Sequence, residues 1–392
     1  MKKICIVTAT RAEYGLLKPV IEKIYKLERI ELKLVVTGMH LSPEFGLTYK
    51  EIEEDGYPID QKIEMLLSSD TPTGITKSMG VALMGFADYF FLNRPDIVVI
   101  LGDRYEMLTV AAAAIIARIP IAHLHGGEKT EGAIDEAIRH SITKMSQLHF
   151  TATEEYRRRV IQLGEQPNRV YNVGALGVEN ARKVSLLSKE ELEHQIGFHF
   201  SKPTIIVTYH PVTLEILTTR EQFADILSVI DNHKEISVIF TKANADTDGR
   251  IINQMIDEYV KENSDRCAGY TSLGQIRYLS ALQYVDAVLG NSSSGLVEVP
   301  SFRIPTINIG DRQRGRVCAK SVIQCANTVQ EIEEALQMAL SEEFKRGITI
   351  MQNPYEKEGT SDKIVKIIDS VLDNGIEMKK SFFDINLEEG IK

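Results

Sequence analysis

The sequence of 392 residues has no tryptophan, only four cysteines and no excess of positive charge. Its cysteines, Cys5, Cys267, Cys318 and Cys325, form neither a CxxC pair nor a disulfide framework, which fits a reducing cytoplasm. No apolar run reaches the roughly 18 residues of a membrane-spanning helix. The formal net charge of −10 disfavours nucleic acid and anionic membranes, because both are bound mainly by basic surfaces. We therefore expect a cytoplasmic protein that binds neither.

Two common cofactor signatures are also missing. The first polar turn, Thr8–Gly15, lacks the GxGxxG pattern, so a dinucleotide held by that fingerprint is not supported. The sequence has no HExxH motif or comparable spacing of metal ligands. A metal site remains the less favoured alternative for the histidine-rich segment described below, and we expect no cofactor.

What the sequence does contain is a regular alternation of strand-like and helix-like segments. Near-continuous apolar runs such as Ile97–Leu101 are typical of parallel strands covered by helices on both faces. The predicted strands are Lys3–Val7, Glu31–Val36, Ile97–Leu101, Ile121–His123, Leu148–Thr151, Thr204–Val207, Ser237–Phe240, Ala287–Leu289 and Thr306–Ile309. Because the pattern restarts near Thr204, the sequence predicts an α/β protein with two Rossmann-like domains whose parallel sheets face a central cleft.

The predicted domain boundary falls in a segment that carries two glycines, Asn172–Leu187. We expect an N-terminal domain over 1–175 and a C-terminal domain over 176–359, with a final helix in 360–392 packing back on the first domain. In open α/β sheets ligands bind beyond the carboxyl ends of the strands, so the site should lie in the cleft.

Polar residues follow two predicted strands of the first domain. Arg11 lies at a strand-to-helix turn, where it could hold a phosphate beside a helix N-terminus. Asp103 and Arg104 follow the strand Ile97–Leu101 and a glycine that permits a tight turn. An N-capping aspartate or a plain salt bridge would give the same pattern, so these two segments alone leave structural and functional interpretations open.

The segment His123–Arg139 concentrates titratable groups. His125, a diglycine turn and Glu128 follow a strand, and Asp135 begins the next predicted helix. Arg139 lies on the same helical face as Asp135 and could orient that carboxylate. Two carboxylates and a histidine within about a dozen residues favour acid/base chemistry.

The second half of the chain carries a serine-rich loop, Gly290–Pro300, directly after a predicted strand. Ser292 and Ser293 could cradle a diphosphate at the start of a helix, and Glu298, one turn further, could accept hydrogen bonds from ribose hydroxyls. Three further candidates lie at strand ends of the same domain, namely His210, Asn244 and Arg312.

The polar segments described above, taken in their order along the chain, give it a specific resemblance. They are TATRAEYG, ILGDR, HLHGGEKTEGAIDEAIRH, VTYHP, NAD and GNSSSGLVEVP with GDRQRGR. Over about residues 3–340 it is similar to the hydrolysing UDP-N-acetylglucosamine 2-epimerases, and most to their bacterial sialic-acid-pathway branch. The resemblance implies the two-domain architecture of GT-B glycosyltransferases, a UDP-sugar substrate, no cofactor and a homo-oligomer, either a dimer or a tetramer.

The resemblance also implies roles for particular residues. Those implied to bind UDP are Arg11, Arg104, Asn244, Ser292, Ser293, Glu298 and Arg312. Asp103, Asp135 and His210 match positions of catalytic groups in the family. Many relatives carry a carboxylate where this chain has His125, which leaves one acid/base group open between His125 and Glu128.

The implied reaction converts UDP-N-acetylglucosamine and water to N-acetylmannosamine and UDP, for the synthesis of sialic-acid-type sugars. UDP is eliminated to give a 2-acetamidoglycal, which is then hydrated, and Asp103 is the first candidate and Asp135 the second for the base at C2. The alternative substrate is UDP-N,N'-diacetylbacillosamine, as in legionaminic acid synthesis. A GT-B glycosyltransferase, a non-hydrolysing epimerase and a catalytically silent UDP-sugar-binding protein are the remaining alternatives.

Overall fold

The computed structural model describes residues 1–67, 69, 71–131, 134–201, 203–212, 218–243 and 249–385. Strands and helices alternate along these residues. The strands are β1 Lys2–Thr8, β2 Ile30–Thr37, β3 Ile59–Ile63, β4 Ile97–Leu101, β5 Ile121–Leu124, β6 Leu148–Thr151, β7 Val170–Asn172, β8 Thr204–Thr208, β9 Ser237–Thr241, β10 Cys267–Tyr270, β11 Ala287–Gly290, β12 Thr306–Ile309 and β13 Val322–Cys325.

The helices connect successive parallel strands. They are α1 Arg11–Tyr25, α2 Tyr49–Glu54, α3 Pro72–Asn93, α4 Tyr105–Ile116, α5 Asp135–Met145, α6 Glu154–Gln162, α7 Leu176–Lys183, α8 Lys189–Ile196, α9 Thr219–Asn232, α10 Gly249–Glu262, α11 Gly274–Ala281, α12 Ser294–Val297, α13 Val329–Leu340, α14 Glu342–Gly347 and α15 Thr360–Asn374.

Two parallel sheets organise the molecule. The first has the strand order β3-β2-β1-β4-β5-β6-β7, and the second has the order β10-β9-β8-β11-β12-β13. In each sheet the order reverses beside the first strand, between β1 and β4 and between β8 and β11, and ligands of such sheets bind at these reversals. The predicted α/β architecture with two Rossmann-like domains is confirmed.

Burial explains why the central strands form. All five residues of β4 are buried, and apolar clusters cover both faces of each sheet. Hydrophobic burial of this kind contributes about 25 cal/mol per Å² of apolar surface. At the end of β1, Thr10 and Glu13 cap α1 reciprocally, because the Thr10 side chain accepts from the Glu13 N–H and the Glu13 carboxylate accepts from the Thr10 N–H. This cap fixes Arg11 at the first turn of α1.

The last helix, α15, returns to the first sheet. Its residues Ile364, Ile368 and Leu372 are buried in the same apolar cluster as Leu17 and Ile21 of α1. The predicted boundary between residues 175 and 176 stays a prediction, and 386–392 lie outside the described residues. Within the described residues, no helix combines the length and the apolar character that crossing a membrane requires.

Candidate active site

The end of β4 places Asp103 against a buried arginine. Gly102 turns the chain with φ +79°, and the Nε2–H of His123 donates to the Gly102 carbonyl at 2.7 Å. Burial lowers the pKa of His123 to about 3, so this histidine is neutral and holds the turn. Asp103 then pairs with Arg139 of α5, whose side chain is almost fully buried.

Arg139 contacts several groups in the first-domain part of the site. Besides Asp103 it donates to the Glu128 carbonyl at 2.8 Å and to the Thr130 hydroxyl at 3.0 Å. Burial alone would raise the pKa of Asp103, but the charge of Arg139, aided by Arg316, outweighs it and lowers that pKa to about 2. Asp103 is therefore ionised throughout the physiological range. Asp135, which Arg139 was predicted to orient, is the first residue of α5 and is half-buried.

His125 and Glu128 face each other across a strained turn. His125 follows β5 with φ +64°, a left-handed conformation that is uncommon for a residue other than glycine. A Cβ on Gly127 would lie 2.4 Å from the Tyr156 carbonyl oxygen, so only glycine fits there. The turn brings the His125 Nδ1 to 3.6 Å from the Glu128 Oε1. That oxygen is buried and has no hydrogen-bond partner among the described residues.

The second domain supplies the cation for Glu128. The Arg316 Nη1 lies 2.7 Å from the Glu128 Oε2, and the Arg316 Nε donates to the Lys129 carbonyl at 3.1 Å. Only 6% of the Arg316 side chain and 4% of the Glu128 side chain are exposed, so this is a buried ion pair between domains. The sequence analysis did not select Arg316. Its position four residues after Arg312, in GDRQRGR, was the available signal.

Two tyrosine hydroxyls stabilise the same contact between the two domains. The Tyr156 hydroxyl accepts from the Val317 N–H at 3.0 Å, and the Tyr355 hydroxyl donates to the Val317 carbonyl at 2.7 Å. The two hydroxyl oxygens are 2.7 Å apart. The loop that carries Arg316 is therefore held against α6 of the first domain by side chains that are themselves buried.

The predicted phosphate-binding arginines of the first domain are paired with carboxylates. Arg104 makes a two-pronged contact with the buried Glu106, with two N···O distances of 3.1 Å. Arg11 pairs with Glu51 and also donates to the Ser272 carbonyl of the second domain at 3.4 Å. Arg11 thus lies at the edge of the cleft and contacts both domains.

The end of β11 gathers four predicted residues of the second domain. The Asn291 side chain accepts from the His210 N–H at 2.7 Å and donates to the His210 carbonyl at 2.8 Å. The Asn291 carbonyl in turn accepts from Arg312 at 3.2 Å. Ser292 and Ser293 follow directly. The structure thus brings His210, Arg312 and the serine loop together, while Asn244 lies outside the described residues.

The helix predicted to carry Glu298 differs from the expectation. α12 ends at Val297, and Glu298 lies between it and a 3₁₀ turn over Val299–Phe302. Pro300 has no N–H to donate, which explains the early end, and the dipole of so short a helix is small. Burial raises the pKa of Glu298 to about 7, and its Oε1 lies against Gly177 of α7.

A cavity of about 500 Å³ lies beside Tyr105, at the start of α4. Both domains line it, since Tyr105 and the loop Leu41–Phe45 face Arg250 and Asn253 of α10. Much of its wall is apolar, formed by Leu41, Phe45, Met65, Leu66, Leu67 and Ile75. Among the described residues no group of three or more His, Cys, Asp or Glu side chains is arranged to hold a metal ion.

Two facing parallel sheets with charged residues at their carboxyl ends define a GT-B-like architecture. The sequence profile of the UDP-N-acetylglucosamine 2-epimerase family matches residues 22–369. The chain belongs to this family.

Individual relatives agree over nearly the whole length. The chain is 42% identical over 384 residues to the GDP/UDP-N,N'-diacetylbacillosamine 2-epimerase (hydrolyzing) of Campylobacter jejuni, covering 98% of this chain and 99% of the relative. It is also 42% identical over 386 residues to the polysialic acid biosynthesis protein P7 of Escherichia coli, with 98% of each covered. The crystal structure of the Neisseria meningitidis UDP-GlcNAc 2-epimerase bound to UDP-GlcNAc superposes with a TM-score of 0.78 at 18% identity, over 94% of this chain and 100% of that one. At that identity the likeness supports the fold alone.

Proposed function

We propose that this chain is a hydrolysing 2-epimerase of UDP-N,N'-diacetylbacillosamine, which releases UDP and the free, C2-inverted diacetamido sugar. The observation that carries the reaction class is the pair of ionic contacts Asp103–Arg139 and Glu128–Arg316, which gathers two carboxylates and two arginines at the domain interface. Carboxylates placed beside cations suit a reaction that moves a proton while an anionic group departs.

Two observations favour the diacetamido sugar. The first is the 42% identity to the Campylobacter enzyme that is described as acting on it. The second is the apolar wall of the cavity beside Tyr105. N,N'-Diacetylbacillosamine carries an acetamido group at C4 and a methyl group in place of the C6 hydroxymethyl, so it needs more room and a less polar surface than N-acetylglucosamine.

The leaving group requires cations. When the C1–O bond breaks, its electron pair leaves with the diphosphate, and positive charge builds at C1. We propose that Arg11, Arg104 and Arg312 stabilise the departing diphosphate with the hydroxyls of Ser292 and Ser293. Glu298 accepts hydrogen bonds from the ribose. Asn244 completes the nucleotide site, and His210 lies beside the diphosphate. Preorganised donors of this kind supply the largest part of many rate enhancements.

The C2 proton leaves in the same step. An Asp103 with a pKa of about 2 is a weak base, but a C2–H beside an oxocarbenium centre is far more acidic than in the ground state. We propose that Asp103 takes this proton, with Asp135 as the second candidate, and that a C1–C2 double bond forms. Water then adds its oxygen to C1, and a proton returns to C2 from the opposite face. His125 and Glu128 are the proposed acid/base pair for this hydration.

The test uses the two UDP-sugars side by side. Proton NMR should show UDP and the C2-inverted free sugar forming faster from UDP-N,N'-diacetylbacillosamine than from UDP-N-acetylglucosamine. Release of UDP only when an acceptor is added would instead indicate a glycosyltransferase. Formation of a C2-inverted sugar that stays linked to UDP would indicate a non-hydrolysing epimerase.

A second candidate substrate is UDP-N-acetylglucosamine, converted to N-acetylmannosamine and UDP for sialic-acid-type sugar synthesis. The equal identity of 42% to the Escherichia coli polysialic acid biosynthesis protein supports it. The same comparison of rates decides between the two, because the higher kcat/KM identifies the preferred sugar.

A further inference from the structure

A proline inside α1 leaves one backbone carbonyl without its regular helical donor. In an α-helix the N–H of each residue donates to the carbonyl four residues earlier, and proline has no N–H. Pro19 lies inside α1, so the carbonyl that loses its donor is that of Gly15. Gly15 is buried, and buried backbone carbonyls are almost always hydrogen-bonded. The Gly15 carbonyl therefore requires donors from outside its own helix.

Two side-chain amides supply those donors. Asn180 of α7 donates through its Nδ2 at 2.8 Å, and Gln275 of α11 donates through its Nε2, also at 2.8 Å. A Cβ on Gly15 would lie 3.3 Å from the Gln275 Cβ, which is closer than an ordinary contact, so the glycine allows α11 to approach. Because α11 belongs to the second domain, this one carbonyl joins α1 to both α7 and the second domain.

The loop that precedes Gln275 packs against the guanidinium of Arg11. Gly15 lies four residues after Arg11, so both are on the same face of α1. The Arg11 Nη1 donates to the Ser272 carbonyl at 3.4 Å. Gly274 has φ +70°, and a Cβ there would overlap the Arg11 side chain. The bond from Gln275 to the Gly15 carbonyl therefore holds the loop 272–274 where it contacts Arg11.

We propose that Gln275 is a positioning residue for nucleotide binding and that it acts through Arg11. By anchoring the start of α11 to α1, Gln275 keeps the loop 272–274 against the Arg11 guanidinium. Without that loop the guanidinium would turn fully towards Glu51, with which it already forms an ion pair. A cation that is held in place before the ligand arrives binds it more tightly than one that must be reoriented. The proposal rests on the proposed role of Arg11 in binding the diphosphate.

The test is a double-mutant cycle on the affinity for UDP, measured by calorimetry on the full chain. Gln275→Met keeps the length of the side chain and removes its donor, so it should raise the Kd of UDP by about fivefold. Arg11→Met should raise the Kd by about tenfold or more. Because Gln275 acts through Arg11, the double variant should bind UDP as Arg11→Met does, without a further loss. Gln283→Met, at an exposed position just after α11, is the matched control and should leave the Kd unchanged.

Pro19→Ala provides a second measurement, which separates positioning from stability. The new N–H at position 19 competes with Gln275 for the Gly15 carbonyl, so the Kd of UDP should rise by about threefold. The thermal midpoint should not fall, because α1 regains a helical hydrogen bond. Wild-type UDP affinity in Gln275→Met or in Pro19→Ala, or multiplied effects in the double variant, would overturn the positioning role alone. Unchanged UDP affinity in Arg11→Met would refute the proposed role of Arg11 and, with it, this proposal.

Discussion

Arg316 of the second domain and Glu128 of the first form a buried ion pair, with 2.7 Å between the Arg316 Nη1 and the Glu128 Oε2. Breaking such a pair on one side leaves a buried charge without a partner, which typically costs about 3–5 kcal/mol. The contact therefore stabilises the position of Glu128 against the second domain.

Arg316→Met should lower kcat by about a hundredfold, because Glu128 is no longer held in position. UDP affinity, measured by calorimetry, should change little. Arg314→Met is the control, because the Arg314 side chain is 65% exposed. A wild-type kcat in Arg316→Met would remove Glu128 from the mechanism.

Glu298→Ala should weaken UDP binding by about 1–3 kcal/mol, and Ser292→Ala should do the same, because each removes hydrogen bonds to a closely fitted ligand. Burial raises the pKa of Glu298 to about 7, and the ribose hydroxyls favour the ionised form. UDP affinity should therefore be full above pH 7 and fall as the pH drops through 7. Glu298→Gln should abolish that dependence. Unchanged calorimetric affinity in both alanine variants would place the nucleotide elsewhere.

Asp103→Asn keeps the shape of the side chain and removes its basicity. Loss of a positioned general base costs about 10²–10⁴ in rate. UDP binding should persist while turnover falls, and wild-type product made in deuterated water should carry deuterium at C2. Near-normal turnover of the variant would transfer the role to Asp135. A product that retains its original C2 hydrogen would contradict elimination altogether.

The reaction should not depend on a divalent metal, since arginines and hydroxyls are the proposed partners of the diphosphate. Activity should be unchanged after dialysis against EDTA and unaffected by added Mg²⁺, Mn²⁺ or Zn²⁺. Loss of activity in the chelator together with recovery on addition of one of these ions is the result that would refute this prediction.

Met65→Gln tests the assignment of the cavity. A polar group in the apolar wall should lower kcat/KM for the diacetamido sugar by about tenfold, as expected for a disturbed apolar contact. UDP affinity should be unchanged, because the nucleotide residues lie in other loops. Ser69→Ala, which removes a polar group from the lining of the same cavity, is the control. An equal decrease of kcat/KM for both UDP-sugars in Met65→Gln would show that the cavity does not determine substrate choice.

The sequence predicted the central strands better than the edge strands. Strands such as β4 carry continuous apolar runs because both of their faces are buried. The edge strands of the two sheets, β3, β7, β10 and β13, were not predicted, because most of their residues are partly or fully exposed and carry no clear pattern. The placement of Glu298 on the helix after the serine loop was also wrong, since α12 ends at Val297.

What the sequence by itself determined is the α/β architecture, the family and the positions of polar residues at strand ends, because each follows from periodicity or from ordered local motifs. Only the tertiary structure decided which charged groups meet. Arg139 is four residues from Asp135 along the chain, yet it holds Asp103, and Arg316 reaches Glu128 from the other domain. The first pairing depends on how α5 packs beside the end of β4 within the first domain, and the second depends on how the two sheets approach each other. Spacing along the chain determines neither packing, because buried charges pair with groups that are close in space.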